Sequence, residues 1–288
     1  MTPRRSFGTR LEEVLASRGP LTVGIDPHPH LLREWELPDS AEGAREFGLR
    51  VVDAAADLAG LIKPQVAFFE RHGSRGFAGL EEVLRAARQA GLIVIADVKR
   101  GDVGTSVAAY GEAWLTPGSP LEADAMTVSA YQGFGSLREP AELAERSGKG
   151  LFVLAATSNP ESAAGQRAVI QRGEQAGSTV AAGIVGEVLD WNRAHSPEGT
   201  GSVGLVLGAT LRLEDYGIDT SDARSAPPVL APGFGHQGAR VEDAPSIFGS
   251  WIRNTLIAQS RSILQMGPSG IRSAIQRSRT EVQRAIGR

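Results

Sequence analysis

Eight short apolar runs recur along this chain of 288 residues, and they restrict its possible folds more than any other feature. Each has the length, the β-branched content and the flanking glycine or proline that are typical of a strand buried on both faces. They are residues 21–26, 60–65, 92–97, 125–129, 151–156, 203–209, 228–231 and 255–259.

Helical patterns separate these runs. Residues 80–90 place Val83, Leu84 and Ala87 on one face before a stop at Gly91, and apolar residues recur at helical spacing over 180–191. Eight strands that alternate with helices predict an α/β fold, a (β/α)8 TIM barrel, in preference to a doubly wound sheet, because eight repeats complete one closed turn. Neither a fixed-period repeat nor a linker is visible, so we expect a single domain over residues 1–288.

Composition excludes several classes of protein. Hydrophobic residues make up 41% and charged residues 22% of the chain, as in ordinary globular proteins, and the net charge of −3 favours neither a nucleic acid nor an anionic membrane as partner. The absence of cysteine excludes disulfides, thiolate catalysis and cysteine-ligated metals. No apolar run approaches the ~18 residues of a membrane span, and no apolar signal region follows Arg4, Arg5 and Arg10, so we expect a cytoplasmic protein with no membrane partner.

Charges gather where the third run ends, in the stretch LIVIADVKRGDVGTS of residues 92–106. Asp97 and Lys99 are two apart on a strand and should point to the same side, and nearby glycines could fold Asp102 back towards Lys99. Ionisable groups at the end of a buried strand are costly to desolvate unless they neutralise one another or do chemistry. A structural ion-pair cluster is the alternative interpretation.

Other runs also end in polar residues. In a barrel of this type the active site lies at the carboxyl ends of the strands. The predicted strand ends carry Asp26, Lys63, Asp97, Lys99, residues 157–159, residues 233–238, Ser260 and Arg261. In this prediction the charges fall at one end only, whereas a structural network could lie at either, which favours an active site.

The segment GFGHQG at 233–238 matches the dinucleotide fingerprint, but it follows the seventh run without the expected acidic residue. Barrels often bind phosphate with the loops after strands seven and eight, where Arg261 supplies a forked cation. A backbone cradle for one phosphate is therefore the better interpretation, and a glycine-rich turn beside a surface arginine is the alternative.

The remaining signals are weaker. His28 and His30 are separated by a proline and lack a third ligand at a recognisable spacing, so we expect no metal. The basic segment 271–287 is predicted to form the closing helix of the barrel in preference to a nucleic-acid-binding helix. The long connection 157–202 is expected to be functional.

Four motifs resemble one family. Asp97-x-Lys99-x-x-Asp102 resembles the signature of the orotidine 5'-monophosphate decarboxylases, although related aldolase and decarboxylase barrels share it. With GIDPHP at 24–29, KPQVAFFER at 63–71, DVKRGDVG at 97–104 and APGFGHQG at 231–238, the chain is similar to the longer, mycobacterial-type bacterial branch, from the first strand to Arg261.

The resemblance implies the decarboxylation of orotidine 5'-monophosphate to uridine 5'-monophosphate, the last step of de novo pyrimidine nucleotide synthesis, without metal or cofactor. It also implies a homodimer with shared active sites, in which the second aspartate of the motif comes from the partner subunit. The residues that it implicates are Lys63, Asp97, Lys99 and Asp102 for catalysis, Asp26 for the ribose, Ser158 for the pyrimidine, Gln237, Arg261 and Gly235 for the phosphate, and Ser106 for a further hydrogen bond.

The chain departs from the family pattern in two places. Ser106 stands where the family has threonine, and Ser129-Ala130 stands where an Asn-Pro is expected. Two other functions remain open. Magnesium-dependent sugar-phosphate aldolases or decarboxylases of this barrel type carry glutamate in place of Lys63, and a non-catalytic barrel could bind a nucleotide.

Overall fold

The computed structural model describes residues 5–197 and 199–287, so Arg4 lies outside the described residues. Within these ranges eight parallel strands pair in chain order, and the first pairs with the last. They are β1 (Leu21–Ile25), β2 (Leu61–Pro64), β3 (Ile93–Arg100), β4 (Ala125–Ser129), β5 (Gly150–Ala156), β6 (Val203–Leu207), β7 (Val229–Ala231) and β8 (Thr255–Gln259). The prediction of a (β/α)8 TIM barrel is confirmed; a doubly wound sheet would not close.

Twelve α-helices occur in the same two ranges. They are α1 (Phe7–Arg18), α2 (Pro29–Glu34), α3 (Ala41–Ala55), α4 (Ala67–Glu70), α5 (Gly73–Gln89), α6 (Gly104–Leu115), α7 (Arg138–Ser147), α8 (Ser162–Gln166), α9 (Val180–His195), α10 (Ala244–Phe248), α11 (Arg261–Leu264) and α12 (Gly267–Ala285). The β6–β7 connection is an exception to the alternation, since its described helices are the 3-10 turns Leu213–Tyr216 and Ala223–Ser225. None of the described helices is long and apolar enough to cross a bilayer.

Local sequence explains where several helices begin and end. The side chains of Ser6, Ser40 and Thr179 each accept a backbone N–H from the first turn of α1, α3 and α9. Such caps satisfy amides that have no partner within a helix. Gly148 ends α7 in the left-handed conformation that glycine adopts without steric cost.

The core has two layers. One lies between the strands and the surrounding helices, and the other fills the barrel itself. The inner layer consists of Leu61, Ile93, Ile95, Ala125, Phe152, Val206, Leu230, Leu256 and Ala258, with Phe7, Leu11 and Leu15 from α1. Helix α1 therefore closes the amino-terminal end of the barrel, where Phe7 meets Phe152 edge to face. The carboxyl ends of the strands are left open.

The closed, amino-terminal end of the barrel contains a cluster of charged side chains that the sequence patterns did not predict. We call Arg10, Glu122, Asp124 and Lys149 the basal cluster. Lys149 Nζ lies 2.8 Å from Glu122 Oε1 and 3.7 Å from Asp124 Oδ1, which Arg10 also contacts at 2.7 Å. The expectation that the charges fall at one end of the barrel only is therefore wrong, because Asp124 and Lys149 immediately precede β4 and β5 and are buried there.

Candidate active site

A cavity of about 400 Å³ opens at the carboxyl ends of the strands. Seven of the ten residues that the family resemblance implicates line it: Asp26, Lys63, Asp97, Lys99, Ser158, Gln237 and Arg261. They come from the ends of β1, β2, β3, β5, β7 and β8, so barrel closure alone brings together residues up to 235 positions apart. The geometry agrees with the expectation that functional groups meet at this end.

One carboxylate joins the two lysines of the cavity. Asp97 Oδ2 lies 2.9 Å from Lys63 Nζ, and Asp97 Oδ1 lies 2.5 Å from Lys99 Nζ. Lys63 and Asp97 are buried, whereas the Lys99 side chain is 47% exposed and faces the cavity. We call Lys63, Asp97 and Lys99, with Asp26 beside Lys63, the apical cluster. Its exposed ammonium is the one that a ligand would meet.

The apical cluster holds its buried groups in their charged forms. Burial alone would raise the pKa of Asp97, but Lys63 and Lys99 outweigh it and keep that pKa well below the usual range. Burial alone would lower the pKa of Lys63, yet Asp97 and Asp26 reverse the effect and raise it. Opposite charges at this distance favour the ionised forms of both partners. The cavity wall therefore presents fixed charges at neutral pH.

The backbone of β3 is irregular where it enters the cavity. Ala96 pairs with Met126 and Arg100 with Val128, so three residues of β3 lie opposite Thr127 alone. Lys99 adopts φ +47°, a left-handed conformation that costs a residue with a side chain roughly 1–2 kcal/mol. Asp97 and Lys99 meet, as predicted, but they do so across a bulge and not by regular strand alternation.

Asp26 stands beside Lys63 at the end of β1. Its Oδ2 accepts a 2.5 Å hydrogen bond from the Ser260 hydroxyl, and its Oδ1 lies 3.9 Å from Lys63 Nζ. A Cβ at Gly24 would come within 2.6 Å of the Ser260 Cβ, so only glycine lets β1 and β8 approach closely enough for this contact. The buried Oδ1 lacks a hydrogen-bond donor among the described residues. Among the described residues, Asp26 thus keeps one carboxylate oxygen whose hydrogen-bonding capacity is not used.

Gln237 and Arg261 line the cavity from the connections after β7 and β8, and β8 is the strand that pairs with β1. Ser158 lies after β5, and the loop that carries it is tied back by Gln166, whose side chain pairs with both the amide and the hydroxyl of Thr157 at 2.9 Å. This contact gives the start of the long 157–202 connection a defined conformation next to the cavity. Helix α9 occupies much of the remainder.

Three residues named from the sequence are not brought into the cavity of this chain. Asp102 accepts the amide of Val103 at 2.9 Å and forms no ion pair with Lys99 among the described residues. Ser106 is exposed on α6. Gly235 lines a neighbouring cavity, and its N–H donates to the Ala239 carbonyl at 2.9 Å, within its own loop.

Sequence reasoning missed two cavity residues that contact the charged groups: Thr127 donates to Asp97, and Gln65 lies 3.5 Å from both lysine ammonium groups. It placed Ser260 at a strand end, and the structure adds that the Ser260 hydroxyl donates to Asp26. Thr127 stands within an apolar run, where a single hydroxyl carries no signal. Gln65 directly follows β2, as Ser260 follows β8, and this position is the one pattern that could have identified it.

The residues of the cavity offer few ligands to a metal ion. In the described ranges, no group of three or more histidine, aspartate or glutamate side chains is placed to share one. His28 packs against the ring of Phe68 at 4.1 Å and against His30 at 5.2 Å. The two carboxylates of the cavity are already engaged by ammonium groups.

The chain is similar to proteins of one kind. Residues 19–269 match the model of the orotidine 5'-phosphate decarboxylase / HUMPS family. A protein of Streptomyces coelicolor named orotidine 5'-phosphate decarboxylase is 46% identical over 283 residues, which cover 97% of this chain and 98% of that protein. One of the same name from Salinispora arenicola is 47% identical, with 98% of both chains covered.

Solved structures agree with these matches. A Streptomyces avermitilis protein, provisionally named as an orotidine 5'-phosphate decarboxylase, superposes with a TM-score of 0.91 at 45% identity and covers 100% of this chain and 98% of its own. The Leishmania donovani OMP decarboxylase gives a TM-score of 0.75 at 29% identity over 98% of this chain and 100% of its own.

Proposed function

The chain belongs to the orotidine 5'-phosphate decarboxylase / HUMPS family, and we propose that it converts orotidine 5'-monophosphate into uridine 5'-monophosphate and carbon dioxide. The observation that carries this proposal is the Lys63–Asp97–Lys99 chain at the cavity wall, which ends in one half-exposed ammonium group. A site that only bound a nucleotide would gain nothing from buried charges that are costly to desolvate.

Loss of carbon dioxide leaves an electron pair at C6 of the pyrimidine ring, where the ring stabilises it poorly. A catalyst must therefore stabilise that charge more strongly in the transition state than in the substrate. Lys99 supplies a fixed positive charge facing the cavity. Its ammonium stabilises the developing carbanion, donates a proton to C6 to form the product, and regains a proton from water.

The neighbouring charges hold Lys99 in place. Asp97 binds the Lys99 ammonium on one side and the buried Lys63 ammonium on the other, so its own position is fixed from two directions. A group held in its reactive position before substrate arrives need not be ordered during the reaction. We assign Asp97 and Lys63 to this role, and Lys99 to proton donation.

The rest of the cavity would hold the nucleotide. We propose that Asp26 accepts a ribose hydroxyl, that Ser158 contacts the pyrimidine and that Gln237 with Arg261 binds the phosphate, since all four residues line the cavity. Ser106 and Gly235 remain proposals from family resemblance, since neither lines the cavity. Binding of the phosphate, which does no chemistry, can contribute to catalysis by closing loops over the ring.

We propose that the reaction uses no metal ion or cofactor. A divalent cation placed between Asp26 and Asp97 would face the ammonium group of Lys63, which lies 3.9 Å from the first carboxylate and 2.9 Å from the second. Repulsion between like charges at such distances is strong in a buried site. Lys63 therefore opposes the magnesium-dependent aldolase or decarboxylase alternative.

We also propose a homodimer with shared active sites, in the cytoplasm. Asp102 does not reach Lys99 within this chain, which leaves it available to the site of a second copy. Large apolar side chains stand exposed after two adjacent strands on the cavity side: Val103 after β3 (55% exposed) and Tyr131 after β4 (92%). An exposed apolar surface of this kind is typical of a contact with another protein.

The activity is tested by adding orotidine 5'-monophosphate to purified protein in excess EDTA and following loss of the orotate absorbance. Rapid loss is the expected result. If magnesium is needed to restore turnover, the metal-free proposal is wrong; if neither condition gives turnover, the decarboxylase proposal is wrong and sugar phosphates become the next substrates. Binding of uridine monophosphate without any turnover would identify a non-catalytic barrel.

Shared sites are tested with two inactive variants, Lys99→Ala and Asp102→Ala, unfolded together and refolded as a mixture. In a hybrid dimer, one of the two sites would combine a native Lys99 with a native Asp102 from the other subunit. We expect activity to reappear on mixing. Activity that stays absent in hybrids shown to form by native mass spectrometry would contradict shared sites.

A further inference from the structure

Thr127 lies opposite the bulge in β3, and the proposed mechanism gives it no role. It is a residue of β4, 1% exposed, and its side chain reaches the cavity wall beneath Lys99. Because three residues of β3 lie opposite it, the ladder between the two strands is interrupted at this point. A bulge leaves backbone groups without their ladder partners, and those groups need others.

The Thr127 hydroxyl takes the place of the missing ladder partner. The Lys99 backbone N–H lies 2.9 Å from Thr127 Oγ1, and Thr127 Oγ1 lies 2.9 Å from Asp97 Oδ1. A backbone N–H can only donate, so the hydroxyl oxygen accepts from Lys99 and its own proton must point to the carboxylate. The direction of both hydrogen bonds is therefore determined.

These two bonds complete a closed ring. It runs from the Lys99 N–H to the Thr127 hydroxyl, from that hydroxyl to Asp97 Oδ1, and from Asp97 Oδ1 back to Lys99 Nζ at 2.5 Å. One side chain on a neighbouring strand thus contacts Lys99 at its backbone and, through the carboxylate, at its ammonium group. Both ends of the ring belong to Lys99, the residue whose backbone is in the left-handed conformation.

We propose that Thr127 is a positioning residue that holds Lys99 in its strained conformation and aims its ammonium group at the reacting carbon. The proposal rests on the function proposed above. Without the hydroxyl, the Lys99 N–H has no acceptor at the bulge and Asp97 loses a donor, so the backbone can relax and move the ammonium group. A displacement of about 1 Å at a catalytic group can lower the rate by on the order of 100-fold.

The test compares Thr127→Val, which keeps the shape but removes the hydroxyl, with Thr127→Ser, which keeps the hydroxyl. We expect Thr127→Val to lower kcat by about 10- to 100-fold while KM and the Kd for uridine monophosphate change less than threefold. Thr127→Ser should recover kcat to within about threefold of the native enzyme. Thr127→Ala replaces Thr127→Val, with the same outcomes, if the valine variant does not fold.

Thr255 provides the matched control. It is also a buried threonine on a barrel strand, and its hydroxyl donates to the Trp251 carbonyl at 2.9 Å, at the other end of the barrel. Thr255→Val should lower Tm as much as Thr127→Val or more, yet leave kcat within about twofold. Positioning is overturned if Thr127→Val keeps kcat within twofold, if its loss falls wholly on KM, or if Thr127→Ser is equally impaired. An inactive native enzyme would instead overturn the function itself.

Discussion

The two ends of the barrel each bury a lysine among carboxylates, yet they use these charges in opposite ways. In the basal cluster every carboxylate oxygen has a partner: Asp124 binds Arg10 and the Val94 amide, and Glu122 binds Lys149 and the Gly118 amide. In the apical cluster Asp26 Oδ1 is buried without a donor, and the Lys99 side chain is half exposed. Burial of charge by itself therefore does not identify a functional site.

The comparison shows that unused hydrogen-bonding capacity, and not burial of charge, distinguishes the candidate functional site. A network that serves stability uses up its hydrogen-bonding capacity, since each unmet group costs free energy. The apical cluster leaves capacity unused, faces a cavity and holds one residue in a strained backbone conformation. Strain and unmet capacity are tolerated where function requires them. Substitutions at the two ends should accordingly separate activity from stability.

The largest effect is expected for Lys99→Gly. Turnover should fall by at least about 1,000-fold, because both charge stabilisation and proton donation are lost. The free energy of unfolding should change by less than about 1 kcal/mol, because relief of the left-handed strain opposes loss of the ion pair between Lys99 and buried Asp97. Stopped assays and denaturant unfolding measure the two quantities.

Glu36 is the matched control for Lys99→Gly, since it also has a positive φ, of 57°. Glu36→Gly relieves the same kind of backbone strain outside the cavity, so it should raise the free energy of unfolding by up to about 1 kcal/mol and keep its activity. A Lys99→Gly protein whose free energy of unfolding falls by more than about 2 kcal/mol would show that Lys99 stabilises the fold, as the basal lysine does.

Lys149→Met is the corresponding change at the basal end. It should lower the free energy of unfolding by about 3 kcal/mol, because buried Asp124 and half-buried Glu122 would both lose this cation. Activity per folded molecule should stay within about twofold. A fall in kcat/KM of more than tenfold, at a temperature where the variant is folded, would show that the basal cluster also affects activity and would contradict the distinction between the two ends.

If Arg261 binds the phosphate as proposed, Arg261→Ala should lower kcat/KM by more than about tenfold, because remote binding contributes to stabilising the transition state. The effect is expected to be smaller than that of Lys99→Gly, since the role proposed for Arg261 involves no proton transfer. Arg193→Ala, at an exposed position on α9, is the control and should change nothing. An unchanged kcat/KM for Arg261→Ala would remove Arg261 from the site.

The smallest effect concerns pH. The pKa of Asp97 lies below its ordinary value in the folded protein, so its charge stabilises the fold above about pH 4 and this stabilisation is lost as the pH falls further. Glu122 behaves in the same way: burial would raise its pKa, but Lys149 and the Gly118 amide lower it. Unfolding free energies measured between pH 5 and 2 should vary less steeply in Asp97→Asn and in Glu122→Gln than in the native protein. An unaltered slope in either variant would show that its carboxylate does not contribute.

The barrel was predictable because its strands are encoded locally. A run buried on both faces must be apolar over its whole length, so each of the eight strands was visible without knowledge of its neighbours. β4 and β8 begin and end where the pattern predicts, and the others differ by a few residues, most at β3, which continues to Arg100. The bulge responsible for that extension depends on β4, which local sequence does not specify.

The sequence by itself determined the closed barrel and the meeting of Asp26, Lys63, Asp97, Lys99 and Arg261 at one end, since charges that follow apolar strands must gather where parallel strands terminate. Only the tertiary structure decided which charged side chains have all their hydrogen-bonding atoms paired. Asp124 and Lys149 immediately precede their strands, whereas Asp97 and Lys99 lie near the end of theirs. Partners from distant segments, such as Arg10 at one end and Ser260 at the other, decide how many carboxylate oxygens have a hydrogen-bond donor. Hydrogen-bond saturation depends on contacts between residues far apart in the chain, and no local pattern records them.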